Sequence, residues 1–149
     1  MCRIRLVVES ELPNVALIAM AVNKICSFYG MDETAAYQLE VCASEAVTNA
    51  IVHAYGSRPG HEVSLSVSIE NESVILACAD TGKSMGPEQI ERVTLGSIAG
   101  EPIRNELREG GRGLEIIHKV MDEIAYTREG SSNCLRMTKR LPDAGEVRR

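Results

Sequence analysis

The chain predicts an α+β fold, a two-layer α/β sandwich in which a mixed, mostly antiparallel sheet is covered on one face by three helices. Strand-like segments adjoin one another in sequence, HEVSLSVSIE with SVILACAD and later EIAYTR with NCLRMTKRL, while helical periodicity is grouped apart from them. The length of 149 residues, 44% of them hydrophobic, suits one domain with a real core, so residues 1–149 are read as a single unit.

The elements follow in order. Ile4, Leu6 and Val8 alternate with Arg3, Arg5 and Val7, giving a first strand. Ser10 offers a helix cap and Pro13 suits the first turn of a helix running to about Tyr29, where Gly30 stops it. A second helix runs from about Asp32 or Thr34 to Tyr55, with Leu39, Cys42, Ala43, Ala46, Val47, Ala50, Ile51 and Ala54 as its apolar stripe. After the loop GSRPG, Val63, Leu65, Val67 and Ile69 alternate with Ser64, Ser66 and Ser68, a strand with one face buried. The turn at Asn71 and Glu72 leads to SVILACAD, a continuous apolar run of the kind found in a central strand, which ends on Asp80.

From Thr81 to Gly111 the chain is rich in glycine, proline and charge, with at most one short helix near Pro87 to Val93. So long a segment inside a compact domain reads as a functional lid, at about residues 83–110. GGRGLEIIHKVM then opens a helix directly from glycines, beginning near Leu114, with Leu114, Ile117 and Met121 on one face. Two strands joined by the turn EGSS close the domain.

The net charge of −5 gives no global pull toward nucleic acid or an anionic membrane, so neither is an expected partner. The N-terminus lacks the apolar stretch of a signal peptide and no run is long enough to span a bilayer, so a cytoplasmic location is expected. The five cysteines (Cys2, Cys26, Cys42, Cys78 and Cys134) lie far apart and mostly within apolar runs. They read as small core residues rather than a disulfide framework or a zinc site.

Three pieces carry chemistry: the row Glu45, Asn49, His53 on the second helix, Asp80 at a strand end followed by Gly82, and Gly110-Gly111-Arg112-Gly113 opening a helix. Singly they have plain readings as a solvated helix boundary, a turn, and a loop that needs positive φ. Together they supply the requirements of nucleotide chemistry. Glycines let backbone amides approach phosphates at the positive end of a helix. Mg²⁺ needs few protein oxygens, so one Asn side chain plus phosphates suffices. A carboxylate one turn before that Asn can take a proton from an attacking hydroxyl. A carboxylate at a strand end can accept from the exocyclic amine of adenine.

These residues resemble a known family. EAVTNAIVHAY is similar to the N-box of the GHKL (Bergerat-fold, histidine-kinase-like) ATPases, ADTGKSM to the first glycine box and GGRGLEII to the second. The short single-domain form, with NCLRMTKRL as closing strand, is most similar to bacterial anti-sigma-factor serine/threonine kinases, over roughly Ile4 to Leu141. The resemblance implies the Bergerat fold and assigns Asn49 as the Mg²⁺-binding amide, Glu45 as general base and Asp80 as the adenine-recognising acid. It also implies that Gly82 makes room for the base and that Gly111 and Gly113, with Arg112 between them, cradle phosphates. Ile90 or Leu114 would add apolar contact to adenine, and Thr138 would face the pocket.

The implied function is an ATP-binding anti-sigma factor and kinase. It would phosphorylate an anti-anti-sigma antagonist, sequester a sigma factor and form a homodimer through the first strand and helix. Two departures stand out: Ser84 replaces the last glycine of the first box, and the lid offers Lys83, Arg104, Arg108 and Arg112 as γ-phosphate partners with no choice among them. The departures leave a second function open, an ATP-dependent partner-switching module that binds a regulator without catalysis. A histidine-kinase catalytic domain fits less well, because no helix carrying a phosphoacceptor histidine precedes the ATP-binding boxes. His53 has no assigned chemistry.

Overall fold

In a computed structural model, residues 2–95 and 111–142 are described. β1 (Cys2–Glu9) is followed by α1 (Pro13–Phe28), α2 (Glu33–Asn49), β2 (Glu62–Glu70), β3 (Ser73–Asp80), α3 (Pro87–Leu95), α4 (Gly111–Val120), β4 (Glu123–Glu129) and β5 (Ser132–Arg140). The five strands form one sheet in the order β1-β2-β3-β5-β4, and each of its pairings is antiparallel. Strands that run in the same direction, such as β3 and β4, are each separated by an antiparallel neighbour, so the sheet holds no parallel ladder among the described residues. β3 is central, as its continuous apolar run predicts, with Val74, Ile75, Leu76 and Cys78 buried.

Register decides which side chains meet the helices. Leu6 pairs with Leu65, Leu65 with Cys78 and Cys78 with Leu135, and this row, with its neighbours Val67, Leu76 and Met137, belongs to the core shared with α1 and α2. The alternate residues, among them Arg5, Ser66, Ala77 and Arg136, form the opposite face. Thr138 pairs with Ile75 and Glu123 and lies on that far face, which corrects the expectation that it faces the pocket. The reason is parity: Leu135 and Met137 point into the core, so Thr138 points away.

The helices match the pattern of their apolar residues. All eight residues of the α2 stripe are buried, and Asp32 caps the helix by accepting from the Ala35 N–H at 2.8 Å. At α1 the cap differs from expectation. Pro13 occupies the first turn, but the residue before it, Leu12, makes no side-chain cap. Ser10 is fully buried and instead donates to the Arg58 carbonyl at 2.7 Å and accepts from the His61 N–H at 3.2 Å, tying the end of β1 to the loop before β2.

The second helix also does not run as one α-helix to Tyr55. After Asn49 it widens into a π-turn over Ala50–Ala54, closed by the Tyr55 N–H on the Ala50 carbonyl at 3.1 Å. His53 falls in this widened turn and is exposed. Among the described residues no helix is long and apolar enough to cross a membrane, and all five cysteines are free.

Candidate functional site

A cleft of about 350 Å³ opens between the end of the second helix, β3, the segment after Asp80, and the start of α4, a size suited to a small molecule. Asn49, Asp80, Lys83, Ser84 and Leu114 line it, as do His53 and two residues not singled out from sequence, Gln89 and Tyr126. Leu114 is part of the wall. Ile90 is not part of the wall, where its neighbour Gln89 stands instead.

At the β3 end the acid is held firmly. Asp80 Oδ1 accepts from the Gly82 N–H at 2.9 Å and from Asn133 Nδ2 at 2.9 Å. The same Nδ2 donates to the Gly82 carbonyl at 3.0 Å, so one amide fixes both the carboxylate and the loop that follows it. Asp80 and Asn133 are register partners on β3 and β5. Oδ2 of Asp80 has no partner among the described residues.

Gly82 earns its place by close approach: a Cβ there would lie 2.6 Å from the carbonyl carbon of Ala54 and would collide with its oxygen. That carbonyl accepts the Lys83 N–H at 2.8 Å, so the segment after Asp80 is pinned to the last residue of the π-turn. Farther along, Tyr126 accepts from the Met85 N–H at 2.9 Å. Burial pushes the Tyr126 hydroxyl pKa up, and the Met85 hydrogen bond opposes the shift. Cys78 lies on the cleft floor, and burial, then the charge of Asp80, pushes its thiol pKa well up, which leaves it a small apolar wall residue.

The other end of the cleft is arranged differently. Asn49 is only 6% exposed, yet its Nδ2 has no hydrogen-bond partner among the described residues. Glu45 stands one turn earlier on α2, and its carboxylate rests against Gly113, where any side chain would collide with it. Glu45 is not itself part of the cleft wall. α4 starts at Gly111 rather than near Leu114. The glycines therefore form its first turn, where backbone N–H groups lack intrahelical partners and where bare backbone lets the helix pack against Glu45. The Arg112 side chain, together with Arg104, Arg108 and most of the lid, lies outside the described residues.

A family model described as a histidine kinase-like ATPase domain matches residues 8–139. The chain belongs to the histidine kinase-like ATPase domain family. Among its relatives, the serine-protein kinase RsbW of Oceanobacillus iheyensis is 30% identical over 121 residues, covering 81% of this chain and 76% of that protein. The anti-sigma F factor of Anoxybacillus flavithermus is 34% identical over 105 residues, covering 70% and 68%. These names agree with the anti-sigma kinase resemblance drawn from the boxes. A histidine kinase domain from Erythrobacter litoralis superposes with a TM-score of 0.54 at 20% identity, over 91% of this chain and 63% of that one, which supports the fold. Membership in an ATPase family implies use of ATP.

Within this histidine kinase-like ATPase domain, sequence reasoning missed Asn133 and Tyr126. The signal for Asn133 was available: it shares the parity of Leu135 and Met137, so a polar side chain had to enter the core beside whatever β3 placed opposite. Tyr126 has the same parity on β4. Which lid residue it would hold depends on folding of the segment after β3, for which local pattern carries no signal.

Proposed function

We propose that the chain is an ATP-dependent serine/threonine protein kinase that also acts as an anti-sigma factor, transferring phosphate to an anti-anti-sigma antagonist and otherwise sequestering a sigma factor. The observation that carries this reading is the convergence of Asn49, Asp80 and the glycine-opened start of α4 on one cleft, although they lie up to dozens of residues apart in sequence. The relatives named as serine-protein kinase and anti-sigma F factor support the same reading. The unit is the single domain 1–149, with its lid at about 83–110, acting in the cytoplasm.

The residues divide the work by chemistry. The free oxygen of Asp80 accepts from the exocyclic amine of adenine, Gly82 keeps the following loop close, and Leu114 covers the base. The N–H groups of the first turn of α4, at Gly111, Arg112 and Gly113, receive phosphate oxygens. Asn49 fits a role toward Mg²⁺ and phosphate, because a buried amide without a protein partner on a cleft wall is satisfied only by something that enters the cleft. Mg²⁺, when bound, neutralises charge on the phosphates. In transfer, the oxygen of the acceptor hydroxyl bonds to the γ-phosphorus, the bond from phosphorus to the bridging oxygen of ADP breaks, and the hydroxyl proton passes to Glu45.

Homodimerisation through β1 and α1 is part of the proposal. β1 is an edge strand, and α1 leaves Leu17, Met20 and Phe28 exposed at 64%, 59% and 84%. Light scattering on the purified chain tests it. The catalytic reading is tested by incubating the chain with Mg-ATP and small single-domain antagonist proteins from the same genome. Phosphoserine or phosphothreonine should form, and Glu45→Ala should slow transfer by roughly 10²–10⁴-fold while nucleotide binding changes little. Transfer that proceeds unchanged in that variant refutes the assigned base. Capture of a partner with no phosphate transferred at all favours the non-catalytic, partner-switching module.

A further inference from the structure

We propose that Asn133 sets the nucleobase preference of the cleft, by occupying one oxygen of Asp80 so completely that the acid can receive only a single donor from a base. The inference rests on the reading that Asp80 recognises a base, and goes beyond it by naming what restricts the choice.

A carboxylate offers about four lone-pair sites, roughly two on each oxygen. On Asp80 both sites of Oδ1 are taken, by the Gly82 N–H at 2.9 Å and by Asn133 Nδ2 at 2.9 Å. What remains for a ligand is Oδ2. Adenine presents one amine donor on this edge, next to a ring nitrogen that accepts. Guanine presents two parallel donors, its ring N–H and its amino group, and two parallel donors match a carboxylate only when both oxygens are open. A half-occupied Asp80 therefore fits adenine and leaves one of guanine's donors without a partner in a buried place, which is costly.

Asn133 is committed to this arrangement. Its Nδ2 touches two acceptors, Asp80 Oδ1 and the Gly82 carbonyl at 3.0 Å, so the reversed amide would set oxygen against oxygen twice. Its other end is left wanting: Asn133 is 0% exposed and its Oδ1 has no hydrogen-bond partner among the described residues. An asparagine serving only the stability of the strand ends would have both ends satisfied. This one gives up its acceptor to hold a carboxylate and a loop carbonyl in fixed positions. Asn133 is thus a positioning residue, acting on the base through Asp80.

The test is competition of ATP and of GTP against a fluorescent ATP analogue, on the full chain and on Asn133→Ala and Asn133→Leu. The unaltered chain should prefer ATP by about 100-fold, the scale of one or two hydrogen bonds to a charged group. Both variants should narrow the preference to about 10-fold or less, with GTP gaining relative to ATP. If Asn133→Ala or Asn133→Leu does not unfold cooperatively, Asn133→Ser, which keeps a small donor, should give a ratio between the two. A purely structural role would weaken both nucleotides equally, and a preference unchanged in the folded variants overturns the inference while leaving base recognition by Asp80 standing. Failure of the unaltered chain to bind ATP overturns both.

Discussion

The two ends of the cleft handle their polar groups in opposite ways. At the β3 end the protein ties down one oxygen of its own acid: Asn133, Gly82 and Asp80 are bonded to one another, at the cost of leaving Asn133 Oδ1 unpaired among the described residues, and Met85 is tied to Tyr126 close by. At the α2 end a buried amide, Asn49, has no partner at Nδ2 among the described residues, and α4 offers the N–H groups of a helix start, which have no intrahelical partners. The first end is assembled without a ligand, and in the proposed function the second is the end that a ligand would complete. A base needs a fixed edge to be told from its analogues, whereas phosphates and their counter-ion bring enough charge to satisfy groups that the fold leaves open.

The sharpest way to break this contrast is to remove the acid. Asp80→Ala should lower nucleotide affinity by at least about 100-fold, since it deletes the charged acceptor for the base and frees the amide that held it; titration with a fluorescent ATP analogue reads the loss. Next come the two asparagines, for which the contrast predicts effects of opposite sign on the ligand-free protein. Asn133→Ala removes two hydrogen bonds, one to a charged group, and should cost about 1–3 kcal/mol in urea unfolding. Asn49→Ala removes an unsatisfied buried amide from a helix and raises helix propensity, so it should be neutral or stabilise by up to about 1 kcal/mol while weakening ATP binding. Destabilisation by Asn49→Ala comparable to that of Asn133→Ala would mean that Asn49 is held by the fold as firmly as Asn133 is.

The smallest effect, near its onset, is alkaline. Burial pushes the Cys26 thiol to about 11 and the Cys42 thiol to about 12, and the Cys78 thiol also moves well up. Each folded-state pKa is raised, so the stability these thiols contribute is fully present below the unfolded value near 9. It is lost as pH rises from there toward 11–12, because the unfolded chain ionises first. Urea midpoints should be level below pH 9 and then decline. A midpoint unchanged at pH 10.5 would show that these thiols ionise as readily folded as unfolded.

Much of this was legible in the sequence where a periodic pattern and a chemical residue coincide. The α2 stripe could be read because its segment repeats with a helical period, and Asp80 because it ends the continuous apolar run of a central strand. The short helix after Pro87 and the glycine-opened start of α4 could be read from turn chemistry. Ser10 could not, since nothing local distinguishes a serine that caps from one that reaches the backbone at Arg58 and His61, about fifty residues away. Thr138 was misplaced because residue type was weighed above parity. The pairing of Asp80 with Asn133 depends on which strand lies beside β3, and that is settled by the arrangement of the whole sheet. The π-turn follows no residue preference at all, because Ala50–Ala54 would serve equally well in an α-helix.

That turn fixes a phase. By spending five residues where an α-turn uses fewer, the helix delivers the Ala54 carbonyl to the Lys83 N–H at 2.8 Å and lets Gly82 slide beneath it. Asn49 stands on the regular helix just before the turn, and the segment leading to α3 departs just beyond the contact after it. The angular offset between the helix bearing that amide and the root of that segment is therefore written in a residue count. Deleting Val52, which does not line the cleft, would re-aim the segment after Gly82 while every cleft-lining residue stays in the chain.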